Sequence, residues 1–109
     1  MGSEVYFAGL PDRSSPAQRC AAAARLLQRV PLEAVIARND RTAVKVHVGE
    51  KNNRTHMDPA LVRVVVQRLK ELGAIPFLTE TSTLYKGERS NAIDHLRHAF
   101  AHGFTCEAT

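Results

Sequence analysis

Apolar and polar positions along this chain change rhythm several times, and each change predicts an element. Glu4 to Ala8 (EVYFA) is short, aromatic and β-branched and is closed by Gly9, Pro11 and Asp12, which reads as a strand. Ser15-Pro16-Ala17-Gln18 then marks a helix start, with Ser15 as cap, Pro16 at the first helical position and Gln18 completing a capping box. The helix that follows places Cys20, Ala23, Ala24, Leu27 and Val30 on one face and ends at Pro31. Leu32 to Ile36 adds a further helical turn before Asn39-Asp40.

Thr42 to Val48 (TAVKVHV) alternates, with Val44, Val46 and Val48 on one side and Lys45 and His47 on the other. A central parallel strand is usually apolar on both faces, so either this strand has a wet face or Lys45 and His47 point into a polar cavity. Asp58-Pro59 starts a second helix over Pro59 to Leu72, whose stripe is Leu61, Val62, Val65, Leu69 and Leu72, with Gly73 as its stop. Ile75 to Leu78 is a third, continuously apolar strand. After a long polar loop, Ser90 caps a last helix with Ala92, Ile93, Leu96, Ala99 and Phe100 inward. Phe104-Thr105-Cys106 begins a fourth strand, which the chain cuts off at Thr109.

The order β-α-β-α-β-α predicts an α/β fold, a small parallel sheet with right-handed crossovers. Residues 1–109 read as the N-terminal α/β portion of a larger domain, apparently truncated, with no second domain. Ligands of such sheets bind beyond the carboxyl ends of the strands, so the polar loops after Val48 and Leu78 are expected to share one cleft. Lys45, His47, Glu50, Asn53 and Thr55 come to it from one side. Thr79, Thr81, Thr83, Tyr85, Lys86 and Arg89 come from the other, with His95 behind them. Helix starts at Asp58 and Ser90 add free N–H groups, so the ligand class expected is a small anion, the alternative being a solvated basic rim.

Composition narrows this without naming a reaction. Fifteen Lys and Arg against eleven Asp and Glu give a net charge of +4, but the basic residues are scattered and only two Tyr and four Phe are present, which argues against nucleic acid as partner. Neither a dinucleotide fingerprint nor a P-loop is present, nor a Gly-x-Ser-x-Gly nucleophile elbow. Cys20 and Cys106 match no disulfide framework or Cys-x-x-Cys spacing. His95 and His102 lie about two turns apart, roughly 10 Å and too far for one metal without other ligands, so no metal site is assigned. No apolar run is long enough to span a membrane and no signal peptide is legible at the start, which points to the cytoplasm. His47, His95 and Tyr85 are the candidates for proton transfer.

The segments SEVYFA (3–8), VKVHVGEKNNRT (44–55), the Asp58-Pro59 helix start and PFLTETSTLYKGERSNAIDHL (76–96) followed by HGF (102–104) resemble the N-terminal part of the domain of unknown function 362 family, described as uncharacterised iron-sulfur centre proteins. The resemblance implies ferredoxin-type 4Fe-4S clusters bound further along such proteins, and none within these residues. It also implies, as partners, the remainder of a full-length protein or an electron-transfer partner. The alternative is a non-catalytic scaffold domain packed against the cluster-bearing region.

Overall fold

The computed structural model describes residues 2–106. Helix α1 spans Pro16–Arg29. Its start is the expected capping box: Ser15 Oγ accepts from the Gln18 N–H at 3.2 Å and Gln18 Oε1 accepts from the Ser15 N–H at 2.8 Å. One turn of 3-10 helix, Leu32–Ala34, follows. Strand β1 (Arg41–Lys45), helix α2 (Pro59–Glu71), strand β2 (Ile75–Thr79) and helix α3 (Ala92–Ala101) complete the order. The described residues therefore form a mixed α/β structure of three helices and one two-stranded parallel sheet.

The sheet register pairs Arg41 with Ile75 and Lys45 with Thr79, and one further bond, Val46 N–H to the Thr79 carbonyl at 3.0 Å, carries the pairing past β1. α2 is the crossover. Asp58 Oδ1 caps it by accepting from the Ala60 N–H at 2.8 Å, with Pro59 at the first helical position. Val62 and Val66 of α2 meet Val46, Val48 and Phe104 in the core, with Val44, Leu78 and Ala99 at its margin. α1 lies on the far side of α2 and buries only Ala22 fully. Gly73 (φ 83°) ends α2 in the left-handed conformation expected of it.

Three expectations need correction. Glu4 to Ala8 is not a strand: Val5 and Phe7 are almost wholly exposed, because strand composition alone supplies no ladder partner and this segment finds none. Tyr6 instead takes the Arg29 guanidinium over its ring at 5.7 Å. Phe104 to Cys106 does not start a strand either. The Phe104 N–H bonds back to the Ala99 carbonyl at 3.0 Å and its ring enters the core, while the proposed cut at Thr109 lies outside the described residues.

The third correction concerns α3. Its cap is Asn91, not Ser90: Asn91 Oδ1 accepts from the Asp94 N–H at 3.0 Å, whereas Ser90 Oγ donates to the Gly87 carbonyl at 2.8 Å. Its inward face is also not the apolar one. Ile93, Leu96 and Phe100 are exposed, and His98 is buried. His95, His98 and His102 repeat at i, i+3 and i+7, as Ile93, Leu96 and Phe100 do. The two stripes are offset by two residues, about 200° on a helical wheel, so only one can face the sheet. The carbonyls at the end of β1 decide between them. His98 Nε2 donates to the Gly49 carbonyl at 2.9 Å and His102 Nδ1 to the Val48 carbonyl at 2.7 Å, satisfying backbone acceptors that hydrophobic side chains would leave bare.

Candidate functional site

The parallel strands send Lys45 and Thr79, partners in register, to the same edge. The segment after β1 continues with alternate residues inward, so Val46 and Val48 are buried while His47 shares the outer side with Lys45. The loop after β2 folds back on itself. Thr83 N–H donates to the Arg89 carbonyl at 3.1 Å, Thr83 Oγ1 donates to the Tyr85 carbonyl at 3.0 Å, and Ser90 N–H donates to the Gly87 carbonyl at 3.2 Å. These bonds return Arg89 to the strand ends, where it is only 5% exposed.

Arg89 is the centre of the cluster. Its Nη1 donates to Glu50 Oε1 and lies 3.0 Å from His47 Nε2, and its Nη2 reaches Glu80 Oε2 at 3.3 Å. Glu80 Oε1 also takes Lys45 Nζ at 3.2 Å and the Thr81 N–H at 2.8 Å. Tyr85 donates its hydroxyl to Glu50 at 2.5 Å, and Lys51 pairs with Glu88 at 3.1 Å. The two loops thus leave one edge of the sheet and are bonded to each other.

The contacts of His47 conflict. The Gly49 N–H points at its Nδ1 at 3.0 Å and Arg89 Nη1 faces its Nε2 at 3.0 Å. A neutral imidazole has one lone pair to offer, so in either tautomer one of these contacts is not a hydrogen bond.

The carboxyls respond to these neighbours. The Tyr85 hydroxyl bond, with Arg89 beside it, lowers the Glu50 carboxyl from its ordinary range. Burial acts to raise Glu80, but the Thr81 N–H, Lys45 and Arg89 outweigh it and leave that carboxyl lowered. Tyr85 is raised by its bond to Glu50 and by burial. His95 is lowered, first by burial and then by the charge of Arg89, which favours the neutral imidazole.

Of the residues expected at the cleft, His47, Glu50, Tyr85 and Arg89 are joined by direct contacts, Lys45 is tied to them through Glu80, and the charges of Glu50 and Arg89 act on His95. Thr79, Thr81 and Thr83 serve the backbone around them. Asn53 and Thr55 bond to each other instead, at 2.7 and 3.1 Å, and Lys86 stands exposed. Glu80 was not among the expected residues, although it stands between Thr79 and Thr81, which were. His98 and His102 were also missed, although the i, i+3, i+7 spacing of the three histidines was legible. His102 stacks on His56 with ring centres 4.4 Å apart and meets His98 at 4.2 Å.

Two clefts lie elsewhere. One of about 630 Å³ opens at the start of α2 beside Arg19, Arg54, Thr55 and His56, and one of about 320 Å³ runs between α1 and α2. Both are surface grooves, whereas the mutually bonded ionisable groups gather around the buried Arg89–Glu80 pair. Among the described residues no group of three or more His, Cys, Asp or Glu is placed to hold a metal ion. A 4Fe-4S cluster is held by about four thiolates, and half-buried Cys20 and exposed Cys106 do not make such a set. No helix among the described residues is long and apolar enough to cross a membrane.

Compared with known proteins, residues 42–109 match the family described as Domain of unknown function (DUF362). Neither the curated proteins nor the solved structures contain a match.

Proposed function

We propose, from the premise that this chain belongs to the DUF362 family, that it binds a small carboxylate or phosphate at Arg89, with the ligand replacing Glu50. The inequality of the two carboxylates on Arg89 carries this reading. The Glu80 side chain is 7% exposed and is tied to Lys45 and the Thr81 N–H. The Glu50 side chain is 37% exposed and sits on a loop, held at the Nη1 position where His47 is already mismatched. An incoming anion keeps the charge balance when Glu50 swings out, and its charge-assisted bonds to a guanidinium are of the strong kind. Lys45 and the loop threonines form the polar rim, and His47, His95 and Tyr85 are the groups able to exchange a proton with a bound ligand.

Calorimetric titration of the chain with butyrate and with inorganic phosphate tests this. Glu50→Gln is expected to tighten binding and Arg89→Lys to weaken it. An affinity unmoved by either change, or no binding to Glu50→Gln, refutes the site.

A second reading is favoured by a different observation. The outer side of the sheet leaves Ile75 and Phe77 half exposed, and α3 turns Ile93, Leu96 and Phe100 outward. These surfaces support a scaffold role, packed against further polypeptide such as the cluster-bearing region that the family resemblance implies. If Leu96→Glu and Phe100→Glu leave the association of a full-length protein's parts intact, that reading fails. The same reading includes an iron-sulfur association of the whole protein, which the family resemblance implies, and a cytoplasmic location.

A further inference from the structure

The conflict at His47 resolves in one direction. The Gly49 N–H is buried, and among the described residues His47 Nδ1, at 3.0 Å, is its acceptor. The turn fixes that N–H, with Gly49 at φ 90°, so it cannot swing away to another partner. A buried donor left unpaired is costly, whereas Arg89 Nη1 keeps Glu50 when it gives up the imidazole. The ring proton therefore belongs on Nε2. His47 Nε2–H and Arg89 Nη1 are then two donors 3.0 Å apart, and an oxygen within bonding reach of one is close enough to serve the other.

Glu50 uses only part of this arrangement. Its Oε1 takes both Arg89 Nη1 and the Tyr85 hydroxyl, so these two donors already meet at one oxygen, but no hydrogen bond joins it to His47 among the described residues. A carboxylate that is not tethered to the chain is free to use all three donors. The position is open to it, since His47 and Tyr85 are exposed and the Glu50 side chain is partly so.

Charge selects the kind of anion. Arg89 and Lys45 face Glu80 and Glu50, two charges against two, and Lys51 is matched by Glu88. Displacing Glu50 uncovers one positive charge, which a monoanion neutralises. A phosphate monoester carries about −1.5 to −2 near neutral pH and would set its excess charge against Glu80.

We propose that His47 Nε2–H, Arg89 Nη1 and the Tyr85 hydroxyl form a three-donor site for a carboxylate monoanion, with His47 the donor that the ligand uses and Glu50 does not. The inference rests on the anion-binding reading above and narrows its ligand to carboxylates.

Three measurements on the intact chain test it. Long-range proton–nitrogen NMR is expected to find the His47 ring proton on Nε2. Calorimetry is expected to find butyrate bound about tenfold more tightly than methyl phosphate in its dianionic form, the lower end of what a neighbouring charge does. His47→Asn, whose Oδ1 stands where Nδ1 does and still accepts from Gly49, is expected to keep its urea midpoint and to lose about tenfold in butyrate affinity, one hydrogen bond to a charged group. His47→Gln, which keeps a donor at the far position, is expected to retain part of that affinity, and far-ultraviolet circular dichroism checks that each variant folds. A ring proton on Nδ1, butyrate binding unchanged in His47→Asn, or methyl phosphate bound as tightly as butyrate overturns this inference, and the anion site stands so long as Arg89→Lys weakens binding. If neither anion binds even to Glu50→Gln, both proposals fall.

Discussion

Replacing Arg89 by Met removes the charge and keeps an unbranched side chain of similar reach, so the outcome isolates the ion pairs. Glu80 is then left 7% exposed with Lys45 as its cation, and that lysine side chain is itself 65% exposed. An exposed lysine pair contributes under about 1 kcal/mol, too little to replace a buried guanidinium. Leaving a buried charge without its partner costs 3–5 kcal/mol, and we take about 3 kcal/mol because Lys45 remains. Against a total stability of about 5–15 kcal/mol that is a large fraction. The assay is urea unfolding followed by far-ultraviolet circular dichroism, since the chain has no Trp. The double variant Arg89→Met/Glu80→Gln removes both charges and is expected to recover most of the loss, to within about 1 kcal/mol of wild type.

Acid supplies a further check. The Glu80 carboxyl is lowered in the folded state, so its contribution is present above the ordinary value of 4.5 and is lost as pH falls through the folded value. Arg89→Met removes one cause of that lowering, so the gap between variant and wild type narrows below pH 4.5. A single variant that costs less than about 0.5 kcal/mol, within the range of an ordinary surface change, refutes the reasoning. So does a double variant no more stable than the single one.

Two further predictions follow from the turn at the end of β1 and from the histidine above it. Gly49 has φ 90°, and a Cβ there would sit 2.8 Å from His56 Cβ and 2.9 Å from His102 Nδ1. Gly49→Ala is therefore expected to cost at least about 1–3 kcal/mol in urea unfolding, and a neutral result would mean that the turn is not held as described. His95 is lowered by burial and by Arg89, so its folded form binds its proton less readily than the unfolded chain. Stability should fall as pH drops through the ordinary value of 6.5, and NMR titration should find His95 still neutral where an exposed histidine is half protonated. A His95 titration at or above that value contradicts the assignment.

Much of this was legible before the structure, for identifiable reasons. Ser15-Pro16 and Asp58-Pro59 carry their helix starts in local chemistry, and both helices begin where those signals stand. The first strand could be read from the alternation of Thr42 to Val48 and the second from the apolar run Ile75 to Leu78, and their parallel pairing follows from the helix between them. That geometry is also why Lys45, His47, Glu50, Tyr85 and Arg89 could be gathered from loops some forty residues apart. Glu4 to Ala8 misleads because strand propensity describes a residue's fit to a sheet, not whether a neighbouring strand is available. On α3 two stripes of equal spacing competed, and only the bare carbonyls of Val48 and Gly49 selected the histidines. Bonds of that kind leave no trace in a hydrophobic pattern.

The way α3 is attached affects how it can leave. It holds the sheet end through imidazole bonds to two carbonyls and keeps Ile93, Leu96 and Phe100 outside, so releasing it exposes little that is oily. Opening of this helix is therefore limited by a few discrete polar contacts rather than by solvation of a core. Its amides are placed to exchange with deuterium as one group, ahead of those of α2 and with little dependence on urea.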